Sequence, residues 1–206
     1  KQGDINWELN SKEIIISSDS RNSIIKDLQV KVNDIPVIYL PYVRAAIGKE
    51  KFSGFLTPSI KQGKDGLDLS IPYFFSLAPN YDLTISPRYI DKRGSGFSAE
   101  VRYLSRYSNG ILKIANFFKD KRFSNLTGIN DDRWSGEWNN VSKVGSNILL
   151  RINTEHVSDN LFYEDLSDDI LGTQQKDYIT RNLRIDWKNK NLKLKGQINK
   201  FQNLNP

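Results

Sequence analysis

Tyr81-Asp-Leu-Thr-Ile-Ser-Pro-Arg-Tyr89 alternates at every step between an apolar and a polar side chain. The same alternation returns in Phe97-Ser-Ala-Glu-Val-Arg-Tyr103 and, near the end of the chain, in Leu183-Arg-Ile-Asp-Trp187. A period of two is typical of a β-strand with two different faces, whereas the helical period of 3.6 is weak throughout this chain. The sequence therefore predicts an all-β protein.

The lengths of the connections separate two explanations of this alternation. In a soluble sandwich the polar face meets bulk water, whereas in a membrane β-barrel it meets a wet lumen and the apolar face meets lipid. From Lys51 onward we expect about nine strands of roughly 9–12 residues, a length that crosses a bilayer at a tilt. The long connections 119–132 and 158–177 fall on one side, and short turns such as Ser108–Gly110 and Asn189–Asn191 fall on the other. This asymmetry is typical of an outer-membrane barrel.

The first fifty residues have a different pattern, with shorter strands. The segment Ile35-Pro-Val-Ile-Tyr-Leu-Pro-Tyr42 is apolar on both faces, which predicts a strand buried between two sheets with Pro36 and Pro41 at its ends. We therefore predict that residues 1–50 are the C-terminal part of a β-jelly roll or sandwich. Residues 51–206 are then the N-terminal part of an incomplete barrel.

The composition limits the classes of partner and chemistry. The 206 residues contain no cysteine, which excludes disulfides and thiolate metal sites within this stretch. The net charge of +6 permits anionic partners. Since the basic residues are spread along the chain instead of forming one block, we expect no nucleic-acid partner. No signal peptide is recognisable in the first residues, and we expect a targeting signal to lie upstream.

Two prolines interrupt neighbouring strands of the predicted barrel. Pro58 follows Phe55-Leu-Thr57, and Pro72 lies between Leu69-Ser-Ile71 and Tyr73. Proline has no N–H and cannot donate to a sheet ladder. One interpretation is that both prolines weaken the pairing of these two strands, which we call the seam. The other is that they merely end strands and block aggregation at an edge.

Several motifs, taken in order, resemble the LptD family of lipopolysaccharide-assembly outer-membrane proteins, also called organic solvent tolerance proteins. The segments that carry the resemblance are Ser53-Gly-Phe-Leu-Thr-Pro58, Leu69-Ser-Ile-Pro-Tyr73, Leu77-Ala-Pro-Asn-Tyr-Asp82, Ser86-Pro-Arg-Tyr-Ile-Asp-Lys-Arg-Gly94, Glu100-Val-Arg-Tyr-Leu-Ser105, Asp131-Asp-Arg-Trp134 and His156-Val-Ser-Asp159. Any one motif is weak, but their order and spacing are specific, and they cover nearly the whole chain.

The resemblance implies a periplasmic jelly roll that receives lipopolysaccharide from a bridge protein, LptA. It also implies a large barrel, plugged by the lipoprotein LptE, that inserts the glycolipid into the outer leaflet of the cell outer membrane. Pro58 and Pro72 match the prolines of that family's lateral gate, and Gly54 would add flexibility beside them. This chain would hold the end of the jelly roll and the first strands of the barrel.

The polar face of the predicted barrel carries four arginines, namely Arg88, Arg102, Arg151 and Arg184. They would attract the phosphates of a glycolipid head, or they would solvate the lumen and pair with Asp82, Glu100 and Glu155. The residues leave both alternatives open. The acidic loop from Ser158 to Asp169 matches no EF-hand spacing, and we expect it to be solvated and free of metal.

We expect no enzymatic activity and no cofactor. His156 is the only histidine, and it has no serine elbow or cysteine partner nearby. The sequence also contains no phosphate-binding loop and no dinucleotide fingerprint. The alternatives to lipopolysaccharide transport are another outer-membrane barrel, porin-like or a lipase, and a soluble β-sandwich that binds glycans.

Overall fold

The computed structural model describes residues 7–17, 22–32, 34–46, 51–129, 132–166 and 177–204. A first antiparallel sheet contains the four strands β1 (Trp7–Asn10), β2 (Glu13–Ser17), β3 (Asn22–Val32) and β4 (Ile35–Ala46). Strands β1 and β2 lie end to end along one edge of β3, and β4 lies along the other edge. The assignment of this sheet to a jelly roll stays a prediction.

Strand β4 differs from the prediction for Ile35–Tyr42, which was wrong on two points. Pro36 is the second residue of the strand, close to its start as predicted, but Pro41 lies inside the strand instead of at its end. Ile35, Tyr39 and Tyr42 keep half or more of their surface exposed, so the strand is not buried between two sheets. Because β4 pairs only with β3 among the described residues, its second edge has no ladder, and proline is tolerated there.

The second sheet begins after residue 51 and contains eleven strand segments. They are β5 (Gly54–Phe55), β6 (Ser59–Gly63), β7 (Gly66–Ser70), β8 (Tyr73–Ala78), β9 (Tyr81–Ile90), β10 (Gly94–Leu104), β11 (Ser108–Phe117), β12 (Arg133–Val144), β13 (Ile148–Val157), β14 (Tyr178–Lys188) and β15 (Lys193–Asn203). All neighbours are antiparallel and the sheet is open. The predicted all-β fold is therefore confirmed.

Four of these segments form two interrupted strands. Segments β5 and β6 pair with β8 and β7 respectively, and both β7 and β8 pair with β9. We call β5–β6 the first broken strand and β7–β8 the second broken strand. Counted in this way, the sheet has nine consecutive strands, which agrees with the number expected from the sequence.

The connections alternate between the two ends of the sheet. One end, which we call the long-loop end, carries residues 64–65, 91–93, 118–132 and 158–177. The other, the short-turn end, carries residues 79–80, 105–107, 145–147 and 189–192. Helices α1 (Lys121–Thr127) and α2 (Phe162–Leu166) both belong to the long-loop end. The predicted grouping of the two long connections on one side is thus confirmed.

The turn predicted at Ser108–Gly110 was misplaced. The chain turns at residues 105–107, and Asn109 and Gly110 already pair with Leu104 and Tyr103 in the β10–β11 ladder. A Cβ atom on Gly110 would lie 2.5 Å from the Tyr103 hydroxyl. This glycine therefore serves a close approach within the sheet and does not mark a turn. The next turn at the same end contains only residues 145–147, because β12 extends to Val144.

The two faces of the large sheet have an inverted pattern of burial. Helix α2 packs on the inner face, which contains Asp82 and Ser86, only 3% and 2% exposed. The opposite, outer face carries exposed Tyr89, Ile114 and Ile185, which keep 44–47% of their surface. Polar residues are thus covered and large apolar residues uncovered, the reverse of a sheet packed on a hydrophobic core.

Candidate functional site

The two broken strands are interrupted at the same level. Phe55 pairs with Tyr73 on one side of the break, and Ser59 pairs with Ser70 on the other. Three residues of the first broken strand therefore stand opposite two residues of the second, as in a β-bulge. Pro58 lies in the longer segment and Pro72 in the shorter one, so the structure brings these two predicted residues together.

A third proline lies at this level in the next strand. Pro87 belongs to β9, and its carbonyl accepts a 3.2 Å hydrogen bond from the backbone N–H of Ile71. The carbonyl of Pro72 accepts a 2.9 Å bond from Leu56 N–H. We call Pro58, Pro72 and Pro87 the proline row. Sequence reasoning missed Pro87 because it fits the apolar face of its strand, although its spacing from Pro72 almost repeats that between Pro72 and Pro58.

The proline row starts at an open edge. Among the described residues, nothing pairs with the far side of the first broken strand. Gly54 lies nearer the short-turn end, where it pairs with Phe74 and is separated from the break. Aromatic contacts fix this end of the two strands, with an edge-to-face pair Phe55–Tyr73 at a centroid distance of 4.8 Å and a tilted pair Tyr73–Phe75 at 4.6 Å. The interruption of strand pairing therefore coincides with the proline row.

A network of buried charges joins the connections at the long-loop end. Its first centre is Arg93, whose guanidinium donates to Asp65 at 2.7 Å, Asp120 at 2.7 Å and Asp165 at 2.8 Å. The Arg93 side chain is 1% exposed. These three carboxylates come from three different connections, so one arginine links the 64–65, 118–132 and 158–177 connections to its own.

The second centre of the network is Arg133, at the start of β12. It donates to Asp159 at 2.7 and 3.0 Å, and to Asp120 and Asp165 at 2.9 Å each. Its guanidinium carbon lies 4.1 Å from the centroid of the Phe123 ring, an additional cation–π contact. Together with Arg122, which bonds Asp65, these groups form the long-loop ion network: Asp65, Arg93, Asp120, Arg122, Arg133, Asp159 and Asp165.

The ionisation of this network is fixed by its geometry. Burial alone would raise the pKa of Asp65, but hydrogen bonds from Arg93 and Arg122 outweigh it and hold the pKa below its usual value. Burial opposes the charge of Arg93, yet its carboxylate partners raise the pKa of this guanidinium. The acidic loop was expected to be solvated, which is wrong for Asp159 and Asp165. Asp168 and Asp169 lie outside the described residues.

Helix α2 covers the inner face near the long-loop end. Phe162, Tyr163 and Leu166 are 2–5% exposed and pack in one cluster with Ile90 and Phe117. A cavity of about 30 Å³ remains between this helix and the sheet. Burial and a hydrogen bond with Glu155 raise the pKa of Tyr163, which keeps the phenol neutral.

The sequence of this chain is similar to those of known proteins. The family model described as LptD protein matches residues 24–206. This chain belongs to the LptD family. Curated relatives include the LPS-assembly protein LptD of Pseudomonas putida strain W619, which is 32% identical over 185 residues, 88% of this chain and 20% of the relative.

Two further relatives carry the same name. That of Bordetella pertussis strain Tohama I is 31% identical over 199 residues, which covers 96% of this chain and 24% of the relative. That of Pseudomonas fluorescens strain Pf-5 is 33% identical over 177 residues, 85% of this chain and 19% of the relative. The chain therefore spans about a fifth to a quarter of the length of these LptD relatives.

Two of the four arginines on the polar face contact carboxylates near the middle of the sheet, and Arg102 shares its two carboxylates with Lys51 and Lys113. Arg88 donates to both carboxylate oxygens of Asp68, at 2.9 and 2.6 Å, and to the Leu166 carbonyl of α2 at 2.7 Å. Arg102 lies 2.6 Å from Asp82 and 3.6 Å from Glu100. Both arginines therefore have structural roles on the inner face.

The other two arginines share one carboxylate. Arg151 and Arg184 stand opposite each other in the β13–β14 ladder, and both bond Asp186. For Arg184 the distance to Asp186 is 2.9 Å. Of the carboxylates predicted to pair with these arginines, Asp82 and Glu100 contact Arg102, and Asp68 and Asp186 are further partners that the sequence did not indicate. One positive charge remains unmatched at the Arg151–Arg184 pair.

The described residues offer few groups for metal binding or catalysis. They contain no group of three or more His, Asp or Glu side chains placed to hold a metal ion. His156 is exposed, and its Nε2 lies 3.2 Å from the Thr154 hydroxyl. No helix among the described residues is long and apolar enough to cross a membrane.

Proposed function

We propose that residues 51–206 form the first strands of an outer-membrane β-barrel that inserts lipopolysaccharide into the outer leaflet. The observation that carries this proposal is the proline row at the open edge of an inverted sheet. An exposed apolar face is stable against lipid, and a polar inner face is stable around water. Exposed aromatic residues lie toward both ends of the outer face, with Phe118 and Trp134 at one and Tyr81 and Tyr107 at the other. Such aromatic belts are typical of the two membrane interfaces.

The proline row offers a physical reason why lipopolysaccharide would leave the barrel sideways. A lipopolysaccharide has a charged head, which is costly to move through hydrocarbon, and acyl chains, which belong in lipid. A barrel that opens between its first and last strands keeps the head in the lumen and the chains in the membrane. Each absent ladder bond forgoes about 1 kcal/mol net. Pro58 and Pro72 remove ladder donors from the first two strands, which loosens the side of the barrel next to that opening, and Gly54 lies in the first broken strand.

The proposal includes partners and orientation. The N-terminal sheet lies in the periplasm and receives lipopolysaccharide from LptA, while LptE occupies the completed barrel. The relatives are named for lipopolysaccharide assembly, and we propose a transport role without catalysis for this chain as well. The first broken strand then runs outward, which puts the long-loop end outside the cell.

The test replaces both gate prolines in the full-length protein. Pro58→Ala/Pro72→Ala restores an N–H at each position, strengthens the seam and slows export. Surface lipopolysaccharide should fall and the uptake of large antibiotics should rise in cells that depend on the variant. A control variant, Pro36→Ala/Pro79→Ala, removes two prolines outside the row and should leave both readouts unchanged. Normal permeability and normal surface lipopolysaccharide in the Pro58/Pro72 variant would overturn the gate.

A further inference from the structure

Like charges face each other on the inner side of the last two ladders. Arg151 stands opposite Arg184, and Lys188 stands opposite Lys193. Cross-strand neighbours have Cβ atoms about 5 Å apart, and like charges at that distance destabilise a sheet. The Asp186–Lys195 row lies between these two pairs, so one carboxylate faces five cations in three successive rows, which is unfavourable for the empty protein. An anion bound between them would remove the penalty.

The surroundings add more positive charge. Lys143 and Lys195 line the same groove as these two pairs, and Asp186 is the only acidic residue in its lining. In the part of the chain that the structure describes, the side chains of Lys143, Lys188, Lys193 and Lys195 form no ion pair and no hydrogen bond. We call these four lysines, Arg151, Arg184 and Asp186 the basic groove. Six cations against one carboxylate leave a local charge of +5.

The groove has the size and position of a binding site. It is open and has a volume of about 480 Å³. It lies at the short-turn end of the sheet, beside residues 145–147, and the chain enters the first broken strand at this same end. A ligand handed over by the N-terminal sheet would reach this end of the large sheet first.

We propose that the basic groove binds the phosphate groups of a phosphorylated glycolipid head on its way into the barrel. This inference rests on the proposed function and names the residues that first hold the transported lipid. Arginine offers a planar fork that matches a phosphate, and flexible lysines adjust to several phosphate positions. Arg88 and Arg102 do not line the groove, and their guanidinium groups already contact Asp68, Asp82 and Glu100.

The test measures binding to the full-length protein in non-ionic detergent. The probes are purified lipopolysaccharide, the same lipopolysaccharide after phosphatase treatment, and inorganic phosphate as a competitor. The test variant is Lys188→Gln/Lys193→Gln/Lys195→Gln. The matched control is Lys12→Gln/Lys64→Gln/Lys121→Gln, which removes three exposed lysines outside the groove. The triple groove variant should bind lipopolysaccharide roughly tenfold more weakly, with a smaller salt dependence, and the control should bind like the wild type.

Two further variants separate charge from folding. Lys188→Arg/Lys193→Arg/Lys195→Arg keeps the charges and should keep the affinity. Lys195→Gln alone should weaken binding roughly twofold to threefold if the triple variant does not fold. Phosphatase treatment should reduce binding to the wild type and leave binding to the groove variant nearly unchanged.

The outcomes distinguish this inference from the proposed function. Equal affinity of the wild type and the groove variants for lipopolysaccharide overturns the groove and leaves the transport role intact. Complete competition by low millimolar inorganic phosphate shows a site for free anions and overturns the assignment to a glycolipid. No binding of lipopolysaccharide by the wild type overturns both proposals.

Discussion

Arg93 and Asp120 form an ion pair with an N–O distance of 2.7 Å, and both side chains are almost completely withdrawn from solvent. Asp120 has two further tasks. It accepts a 2.9 Å bond from Arg133, and it caps α1 by accepting from the backbone N–H groups of Arg122 and Phe123 at 3.1 Å. One carboxylate thus bonds two buried guanidinium groups and fixes the start of a helix.

Replacing Asp120 should loosen the whole long-loop end. Asp120→Ala leaves two buried cations short of a partner, and removal of one member of a buried ion pair costs about 3–5 kcal/mol. Amide hydrogen exchange in residues 119–128 and 162–166 of the full-length protein measures this loss. Asn125→Ala, at an exposed position of the same connection, should change exchange by less than about 1 kcal/mol. Equal effects of the two substitutions would contradict the role assigned to Asp120.

The long-loop ion network should also weaken in acid. The pKa of Asp65 in the folded protein lies below its ordinary value of 3.8. The stabilisation by this carboxylate is therefore complete above about pH 5 and is lost as the pH falls through the lowered folded pKa. The protection factors of residues 91–93 and 119–128, corrected for the slower intrinsic exchange in acid, should therefore fall as the pH decreases below about 5. In Asp65→Asn that part of the pH dependence should disappear, and an unchanged dependence would refute the assignment.

The sequence predicts the repeating parts of this fold because they depend on local alternation. The strands around Tyr81–Tyr89 and Phe97–Tyr103 follow from a period of two, and the grouping of the long connections follows from counting antiparallel strands. The sequence did not predict that Arg93 and Arg133 meet the same carboxylates. Arg93 and Asp165 are separated by 72 positions, and only the packing of separate loops brings them together.

The missed features share a physical cause. Pro87 appears as an ordinary apolar residue until the register places it beside Ile71. Asn109-Gly110 looks like a turn because glycine is common in turns, yet the position selects glycine for lack of space. Arg88 has the carboxylate of Asp68, whereas Arg184 shares that of Asp186 with Arg151. This difference depends on which residues of neighbouring strands stand opposite each other. One shifted residue in the register would change it.

Helix α2 should depend on one aromatic anchor. Phe162 is 4% exposed and packs with Ile90 and Phe117, and truncation of a buried phenylalanine costs about 3–5 kcal/mol. Phe162→Ala should therefore release α2 from the inner face and accelerate amide exchange in residues 162–166 of the full-length protein. Leu161→Ala is the control, because Leu161 is adjacent but 36% exposed. Similar exchange in both variants would show that Phe162 does not anchor the helix.

Gly110 and Gly136 lie in adjacent strands and should respond differently to alanine. A Cβ atom on Gly110 would lie 2.5 Å from the Asn139 carbonyl oxygen and from the Tyr103 hydroxyl, whereas none lies within 4 Å at Gly136. Tyr103 cannot easily move, since its hydroxyl bonds Asn140 at 2.7 Å and accepts from Trp138 at 3.0 Å.

Gly110→Ala should therefore destabilise the sheet by about 1–3 kcal/mol, the usual cost of overpacking. Gly136→Ala should be neutral or slightly stabilising, because alanine loses less backbone entropy than glycine in a strand. Urea titration of the full-length protein in detergent, followed by tryptophan fluorescence, compares the two midpoints. Tyr103→Leu should relieve only part of the Gly110→Ala defect, because the Asn139 carbonyl is backbone and stays in place. A full rescue would mean that the ring alone sets the requirement for glycine.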